Sequence, residues 1–291
     1  MSVALSHAAY ESCALCPRRC GARRLAGMPG RCGMSAELRV ARSALHLWEE
    51  PPISGEAGSG AIFFSGCPLR CVFCQNHEIS SEGFGLPVTA ARLAEMMLEL
   101  QGQGALNINL VTPLHFAPTV REAVLLARDA GLSLPIVCNT SGYERAEVVR
   151  SLADVVDVWL TDFKYASPAL AGEFSGAPDY PEVASEALLA TDATAVFASS
   201  DNIALGLLKC LYERGLRVPR DYSMVSYDNS AADVLFEPAL TSIEQNVEEL
   251  ASAALDVLFR RIEEGERGEL GEPEERILMP RLVIKDSVLA R

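Results

Sequence analysis

Short apolar runs alternate with amphipathic stretches through the first two thirds of the chain. The runs AIFFSG, ALNINLVTP, LPIVCNTSG and VVDVWLTDFK are typical of buried strands, and they occupy residues 61–66, 105–113, 134–142 and 155–164. The segments between them, TAARLAEMMLELQGQG, TVREAVLLARDAG and YERAEVVRSLA, have the spacing of amphipathic helices. Strand and helix repeated in this way predict a parallel α/β sheet or barrel with four visible strands.

The pattern changes after residue 164. We predict a loop for ASPALAGEFSGAPDYP, a helix for EVASEALLA and a solvated acidic loop for EEGERGELGEPEER. TAVFASSD, SMVSYD and ILMPRLVIKDSV predict strands, whereas NIALGLLKCLYERG and SIEQNVEELASAALDVLFRRIEEG predict helices. We place a boundary near residues 187–194. The predicted regions are a cysteine-rich segment at 1–55, whose shape is set by ligands, an α/β region at 56–190 and a second α/β region at 191–291.

The composition is that of a soluble globular protein, with 291 residues, 49% hydrophobic and 22% charged. A net charge of −14, acidic in both halves, argues against binding of nucleic acid or of an anionic membrane. No apolar run approaches the roughly 18 residues of a spanning helix, and the start lacks an export signal, so we expect a cytoplasmic protein. One basic cluster departs from this acidic balance. Three interpretations of it are open: it belongs to a metal-binding knuckle, it binds an anionic ligand, or it forms a solvated surface. Its members are Arg18, Arg19, Arg23, Arg24 and Arg31.

The run GCPLRCVFCQN carries the strongest chemical signal. Cys67, Cys71 and Cys74 have the spacing C-x3-C-x2-C, and each thiolate can bind one iron of a 4Fe-4S cluster. Gly66 and Pro68 favour the tight loop that such convergence needs. The fourth iron is then left for a substrate or cofactor. The alternative is a set of buried or zinc-bound cysteines.

A second set of cysteines precedes the first. Cys13, Cys16, Cys20 and Cys32 have the spacing C-x2-C-x3-C-x11-C and supply four ligands, which suits either zinc or an additional iron-sulfur cluster. A closed site of this kind is more often structural than catalytic. The two remaining cysteines lie in apolar contexts, where we expect buried inert thiols: Cys138 and Cys210.

Four stretches carry a family resemblance. HLWEEPPISGEAGSGAIFFSGCPLRCVFCQNHEIS, NINLVTP, NTSGYE and TDFKYASP resemble the radical S-adenosylmethionine (SAM) proteins related to pyruvate formate-lyase activating enzyme, over residues 10–187. The resemblance implies a partial radical SAM (β/α) barrel. Its cluster would bind SAM and cleave it reductively to a 5′-deoxyadenosyl radical, which abstracts hydrogen from a protein glycine or another substrate. An electron donor is implied as a partner.

The same resemblance assigns individual positions. Phe73 matches the aromatic residue near the SAM adenine, and Asp162 and Lys164 match an Asp-x-Lys pair used around SAM. Thr112 stands where many relatives have a Gly-Gly-Glu motif for the SAM amino group, and this departure leaves its role open. Asn139 ends the third strand at the barrel mouth, where a ligand role and a turn or capping role are both consistent.

The last hundred residues resemble a different family. From about residue 192 to 291, the sequence resembles the end of the sugar-sensing domain of LacI-type repressors, which implies an α/β fragment of a periplasmic-binding-protein-like domain. It also implies a small sugar effector and a homodimer formed through this part. Asp228 matches an effector-contacting position, and Asp201 matches a structural motif or a helix N-cap. No helix-turn-helix is visible, so we expect no DNA binding.

Both resemblances are partial, since the barrel stops after its fourth strand and the repressor part lacks its amino-terminal subdomain. The first functional hypothesis is a radical SAM enzyme of the activating type. The alternatives are a non-enzymatic effector-binding or dimerisation module of a LacI-type regulator, and a non-functional chimera of two truncated genes.

Overall fold

The chain divides into two compact units in the computed structural model, which describes residues 5–230, 237–269 and 271–289. The first unit is Met1–Asp192 and the second is Ala193–Arg291. Among the described residues, no helix is both long and apolar enough to cross a membrane.

A six-stranded sheet in the order β3-β1-β2-β4-β5-β6 forms the centre of the first unit. Its strands are β1 (Arg39–His46), β2 (Ser59–Phe64), β3 (Leu86–Pro87), β4 (Ile108–Val111), β5 (Ile136–Thr140) and β6 (Val158–Thr161). The last four in spatial order are parallel, as predicted, whereas β1 runs antiparallel to β2 and to β3. This arrangement is the predicted partial (β/α) barrel.

The first unit has seven α-helices within the described residues. They are α1 (Pro51–Ser54), α2 (His77–Ser80), α3 (Ala90–Gly102), α4 (Ala117–Asp129), α5 (Ala146–Arg150), α6 (Pro168–Ser175) and α7 (Tyr180–Leu189), with 3-10 turns at His7–Tyr10, Arg24–Ala26 and Leu114–Phe116. Residues of alternate strand positions, such as Ile62, Ile108 and Cys138, pack into the main core with α3 and α4. The intervening residues, such as Asn109, therefore face the opposite side of the sheet.

Two elements of this unit differ from the sequence prediction. β1 lies in the segment for which no regular structure was expected, because its arginines interrupt the apolar alternation that identifies a strand. α6 replaces a predicted loop. The Ser167 side chain accepts a hydrogen bond from the backbone N–H of Leu170 at its start, Pro168 occupies the first turn, and Gly176 ends it with a left-handed φ of 56°. Pro168 and Gly176, which suggested a loop, are therefore helix-end residues.

A four-stranded sheet in the order β10-β9-β8-β7 forms the second unit. Its elements are β7 (Ala195–Phe197), α8 (Asp201–Glu213), β8 (Ser223–Asp228), β9 (Thr241–Glu244), α9 (Val247–Arg267) and β10 (Arg281–Val283). β7, β8 and β9 are parallel, and β10 is antiparallel to β9. The prediction that a helix begins at Ser242 is wrong, because residues 241–244 form β9 and bury their first two side chains.

Candidate functional site

A tight turn after β2 presents the first cysteine set. Gly66 has a φ of 80°, and a Cβ at this position would lie 2.5 Å from Cγ of Met34 and 2.7 Å from the carbonyl oxygen of Cys32. Only glycine fits this turn without displacement. The turn leads into a loop at the carboxyl end of β2, where Cys71 is buried and Cys67 and Cys74 are partly exposed.

Hydrogen-bond donors surround the sulfur atoms of this loop. Burial raises the pKa of the Cys67 thiol to about 11, while the backbone N–H groups of Arg70 and Leu69 interact with the sulfur and oppose that rise. The hydroxyl of Ser80 lies 3.4 Å from Sγ of Cys74 as a donor. Hydrogen bonds to sulfur are a recurrent feature of iron-sulfur sites, where they tune the cluster.

Aromatic side chains from α6, α7 and their flanking loops cover the cysteine loop. Cys71 packs in a buried cluster with Tyr143, Tyr165 and Tyr180. The Phe73 ring, which is 57% exposed, lies edge-on to Tyr165 with a centroid separation of 6.0 Å. The loop that carries the cysteines therefore packs against an apolar cover, and the Phe73 ring contacts this cover while remaining accessible.

The predicted Asp-x-Lys pair lies at the end of β6. Nζ of Lys164 is 2.5 Å from a carboxylate oxygen of Asp162. The Tyr180 hydroxyl accepts a hydrogen bond from the backbone N–H of Lys164 at 2.9 Å and donates to the carbonyl oxygen of Ser141 at 2.7 Å. Tyr180 thus joins the cover of the cysteine loop to the strand end that holds the pair.

Thr112 and Asn139 lie at the same edge of the sheet. Thr112 directly follows β4 and Asn139 is the next-to-last residue of β5, and both are partly exposed. Asn139 pairs with Val111 on one side and Leu160 on the other. Because the carboxyl ends of parallel strands meet at one edge, these residues and Asp162 share the edge that carries the cysteine loop.

The second cysteine set folds as a compact knuckle. A Cβ on Gly30 would lie 3.3 Å from Sγ of Cys20 and 3.5 Å from Sγ of Cys32, so both sulfur atoms border this glycine. Cys13, Cys16 and Cys32 are buried, and Cys20 is exposed. Although partial burial opposes the change, backbone N–H groups of Arg31 and Ala22 lower the pKa of Cys20.

In neither cysteine set do the side chains converge on a common metal position. Within residues 5–230, 237–269 and 271–289, no three potential ligand side chains converge closely enough to hold a metal ion. The donor chemistry nevertheless fits, since each set offers thiols that accept hydrogen bonds from backbone N–H groups. The residues present therefore suit a thiolate-bound metal, with side-chain rotation needed to complete the site.

Two further residues next to the site carry no sequence motif. Arg24 is 1% exposed, so it does not belong to a solvated surface, and its guanidinium donates to the carbonyl oxygen of His115 at 2.6 Å. The His115 ring is 2.9 Å from the carbonyl oxygen of Ser65, two residues before Cys67. Burial and the charge of Arg24 lower the pKa of His115 to about 3, so the ring is neutral and its Nε2–H donates to Ser65.

The two aspartates of the second unit that the sequence singled out differ in burial. Asp201 is buried, and its carboxylate accepts hydrogen bonds from the Ser226 hydroxyl at 2.7 Å and the Ser230 backbone N–H at 2.7 Å. The helix N-cap is Ser200 rather than Asp201. Asp228 ends β8 with a φ of 115° and remains exposed. Left-handed backbone at a residue other than glycine is rare and is found preferentially at functional positions.

Two family models match different parts of the chain. A family model described as the radical SAM superfamily matches residues 61–189, and one described as a periplasmic binding protein-like domain matches residues 148–288. Each model covers less than half of the chain, so residues 61–189 are similar to part of a radical SAM domain and residues 148–288 to part of a periplasmic-binding-protein-like domain. The two matches overlap at residues 148–189, which the structure includes in the first unit.

Individual relatives match one part each. The HTH-type transcriptional repressor PurR from Pasteurella multocida is 42% identical over 101 residues, 34% of this chain and 28% of that protein. An uncharacterized protein from Methanocaldococcus jannaschii is 28% identical over 194 residues, 63% of this chain and 54% of that protein. The chain therefore spans about a quarter to about half the length of these relatives.

The similarity to solved structures is low. A regulator of the LacI family from Sanguibacter keddieii is 25% identical, covering 68% of this chain and 65% of that one, with a TM-score of 0.36. At this TM-score the likeness carries no functional conclusion.

Proposed function

We propose that the first unit is a radical SAM iron-sulfur protein in which Cys67, Cys71 and Cys74 hold a 4Fe-4S cluster. The observation that carries the proposal is the placement of these cysteines on a glycine-initiated turn at the carboxyl end of β2, within the residues that match the radical SAM model. The radical SAM family in general uses such a cluster together with SAM. When bound, the pair supplies a deoxyadenosyl radical for hydrogen abstraction.

The residues of the chain would position SAM beside this loop. The exposed ring of Phe73 provides a surface for the adenine, and Asp162, Lys164, Thr112 and Asn139 provide polar groups at the same sheet edge. The aromatic cover around Tyr165 and Tyr180 keeps water from the buried side of the loop, which protects reactive intermediates. A second metal, zinc or iron-sulfur, would occupy Cys13, Cys16, Cys20 and Cys32.

The activating type of radical SAM chemistry is the finer proposal. It rests on the resemblance of the whole run from residue 10 to 187 to activating enzymes, and it implies a protein glycine as substrate and a separate electron donor. A cytoplasmic location would suit these oxygen-sensitive groups.

Anaerobic reconstitution tests the proposal. We expect the full chain to bind iron and sulfide at Cys67, Cys71 and Cys74 and to convert SAM to 5′-deoxyadenosine under a strong reductant. The variant with all three cysteines changed to alanine should lose both properties. Cys210→Ala is the matched control, because Cys210 lies on α8 of the second unit. Retention of cluster and SAM cleavage by the triple variant would contradict the proposal.

A non-enzymatic function of the second unit is the second candidate. It is favoured by the 42% identity to a transcriptional repressor over 101 residues and by the exposed, left-handed Asp228. A small sugar effector that binds this unit should raise its melting temperature, and Asp228→Asn should abolish the rise. Sedimentation of the full chain tests the associated homodimer. Absence of SAM cleavage and of effector binding together would favour a non-functional chimera.

A further inference from the structure

Arg18 connects the cysteine knuckle to the cysteine loop. It lies between Cys16 and Cys20 in the chain, and its side chain reaches the loop that follows Cys67. Nε of Arg18 donates to the carbonyl oxygen of Pro68 at 3.1 Å, and Nη2 lies 3.4 Å from the carbonyl oxygen of Leu69. These two carbonyls belong to the residues immediately after the first proposed cluster ligand.

The Arg18 guanidinium also forms hydrogen bonds with the C-terminal end of α6. Nη2 donates to the carbonyl oxygen of Ser175 at 2.7 Å, and Nη1 donates to that of Gly176. Its carbon also lies 5.0 Å from the centre of the Tyr143 ring. Carbonyls at a helix C-terminus lack intrahelical donors and carry partial negative charge, so a cation is stabilised there. One planar group thus bridges the cysteine loop and its cover.

Backbone hydrogen bonds of the knuckle fix the origin of the Arg18 side chain. The N–H of Arg19 donates to the carbonyl of Cys16 at 3.0 Å, and the N–H of Gly21 donates to the carbonyl of Cys13 at 2.9 Å. The backbone N–H of Arg18 also interacts with the Cys16 thiol. The position of Arg18 therefore depends on the conformation of residues 13–21, which their cysteines determine.

Two further arginines connect the knuckle to other parts of the first unit. Arg145, which begins α5, donates to the carbonyl of Ala14. Arg24 reaches Ser65 through His115, as described above. Arg70 of the cysteine loop also lies 3.4 Å from the carbonyl oxygen of Arg31 in the knuckle, on an exposed surface. Arg18 is the residue whose side chain reaches both the loop and the end of α6.

We propose that Arg18 is a positioning residue through which the state of the Cys13, Cys16, Cys20 and Cys32 site controls the conformation of the Cys67–Cys74 loop. Closure of the knuckle by a metal holds Arg18 in place, and Arg18 holds the loop in the conformation that receives iron. The inference rests on the proposed function for what the loop binds. The coupling between the knuckle and the Cys67–Cys74 loop does not depend on what the loop binds.

Hydrogen exchange on the full chain, loaded with zinc alone, tests the coupling without iron or SAM. We expect Arg18→Ala to speed amide exchange in residues 66–75 and 168–176 by about tenfold, the effect of losing roughly 1.4 kcal/mol, which is within the range of hydrogen bonds from a charged donor. Arg18→Lys should give an intermediate rate, because an ammonium cannot reproduce the planar fork. Arg19→Ala is the matched control and should exchange as wild type does.

Opening the knuckle should have the same effect through the same residue. Cys20→Ser should speed exchange in residues 66–75 of the wild type, and its effect should be clearly smaller in the Arg18→Ala background, where only the connections through His115 and Arg31 remain. Iron uptake by Cys67, Cys71 and Cys74 should fall in parallel in all these variants except Arg19→Ala. A residue that only stabilised the fold would give additive effects.

The outcomes separate the two proposals. Unchanged loop exchange in both Arg18 variants, or additive effects of Cys20→Ser and Arg18→Ala, would overturn the coupling even if iron binds. Should Arg18→Ala unfold the unit, the Arg18→Lys comparison still decides, because wild-type exchange in that variant would refute the coupling. Non-additive loosening in a protein that never binds iron would support the coupling and contradict the proposed function.

Discussion

His115 makes the stability of the first unit depend on pH in a predictable direction. Its ring is buried and neutral, and its Nε2–H donates to Ser65 at 2.9 Å. Burial, together with the charge of Arg24, lowers its pKa to about 3, whereas an unfolded histidine titrates near pH 6.5. As the pH falls below 6.5, His115 therefore binds a proton in the unfolded chain and remains unprotonated in the folded chain.

The magnitude follows from linkage. Each pH unit between the two pKa values costs about 1.4 kcal/mol of stability, so lowering the pH from 7.5 to 5 should cost about 2 kcal/mol through this residue. The loss should continue until about pH 3. Glu144, whose pKa burial raises to about 8, acts in the opposite direction across the same range. The contribution of His115 is therefore measured by comparison with a variant.

His115→Gln is the appropriate variant, since its amide can still donate to Ser65 and cannot be protonated in this range. Both tryptophans, Trp48 and Trp159, lie in the first unit, so urea denaturation followed by tryptophan fluorescence reports this unit alone. Between pH 7.5 and 5, wild type should lose about 2 kcal/mol more than the variant. Equal losses in the two proteins would refute a buried neutral His115.

Three substitutions test other contacts. Tyr180→Phe removes the hydroxyl shared by Lys164 and Ser141 and should cost about 2 kcal/mol in the same urea experiment; no change would show that these bonds contribute nothing net. Asp201→Asn should speed hydrogen exchange in β8 and β9 and leave tryptophan fluorescence unchanged, because its carboxylate accepts from residues of the second sheet; protection equal to wild type would contradict this. Gly66→Ala should lower iron uptake by displacing the turn, and full uptake would show that the turn adapts.

The parallel strands of the first unit could be predicted because β2, β4 and β5 are largely buried and read as continuous apolar runs, and β6, although only half-buried, keeps the same apolar pattern. β1 could not, because its polar side chains are tolerated near the sheet edge, where one face is partly open. The α6 helix was missed for a different reason. Its Pro168 and Gly176 are typical of loops when taken singly, and only their positions at the two ends of one segment indicate a helix.

The two cysteine sets could be identified from the sequence because their members are clustered along the chain. The residues that hold them in place could not. Arg18 is 50 residues from Pro68 and 157 from Ser175, and Arg24 is 91 from His115, so no local pattern relates them. The sequence left open whether Arg24 belongs to a metal knuckle, an anion site or a solvated surface, and its burial against Tyr10 and Phe116 excludes the solvated surface.

The electron paramagnetic resonance spectrum of the reconstituted, reduced full chain, recorded before and after addition of SAM, tests the central claim most directly. Our account predicts the signal of a reduced 4Fe-4S cluster that changes when SAM binds, and this SAM-responsive signal should disappear when Cys67, Cys71 and Cys74 are replaced by alanine. A folded chain that shows no cluster signal, or a signal that SAM leaves unaltered, would contradict it.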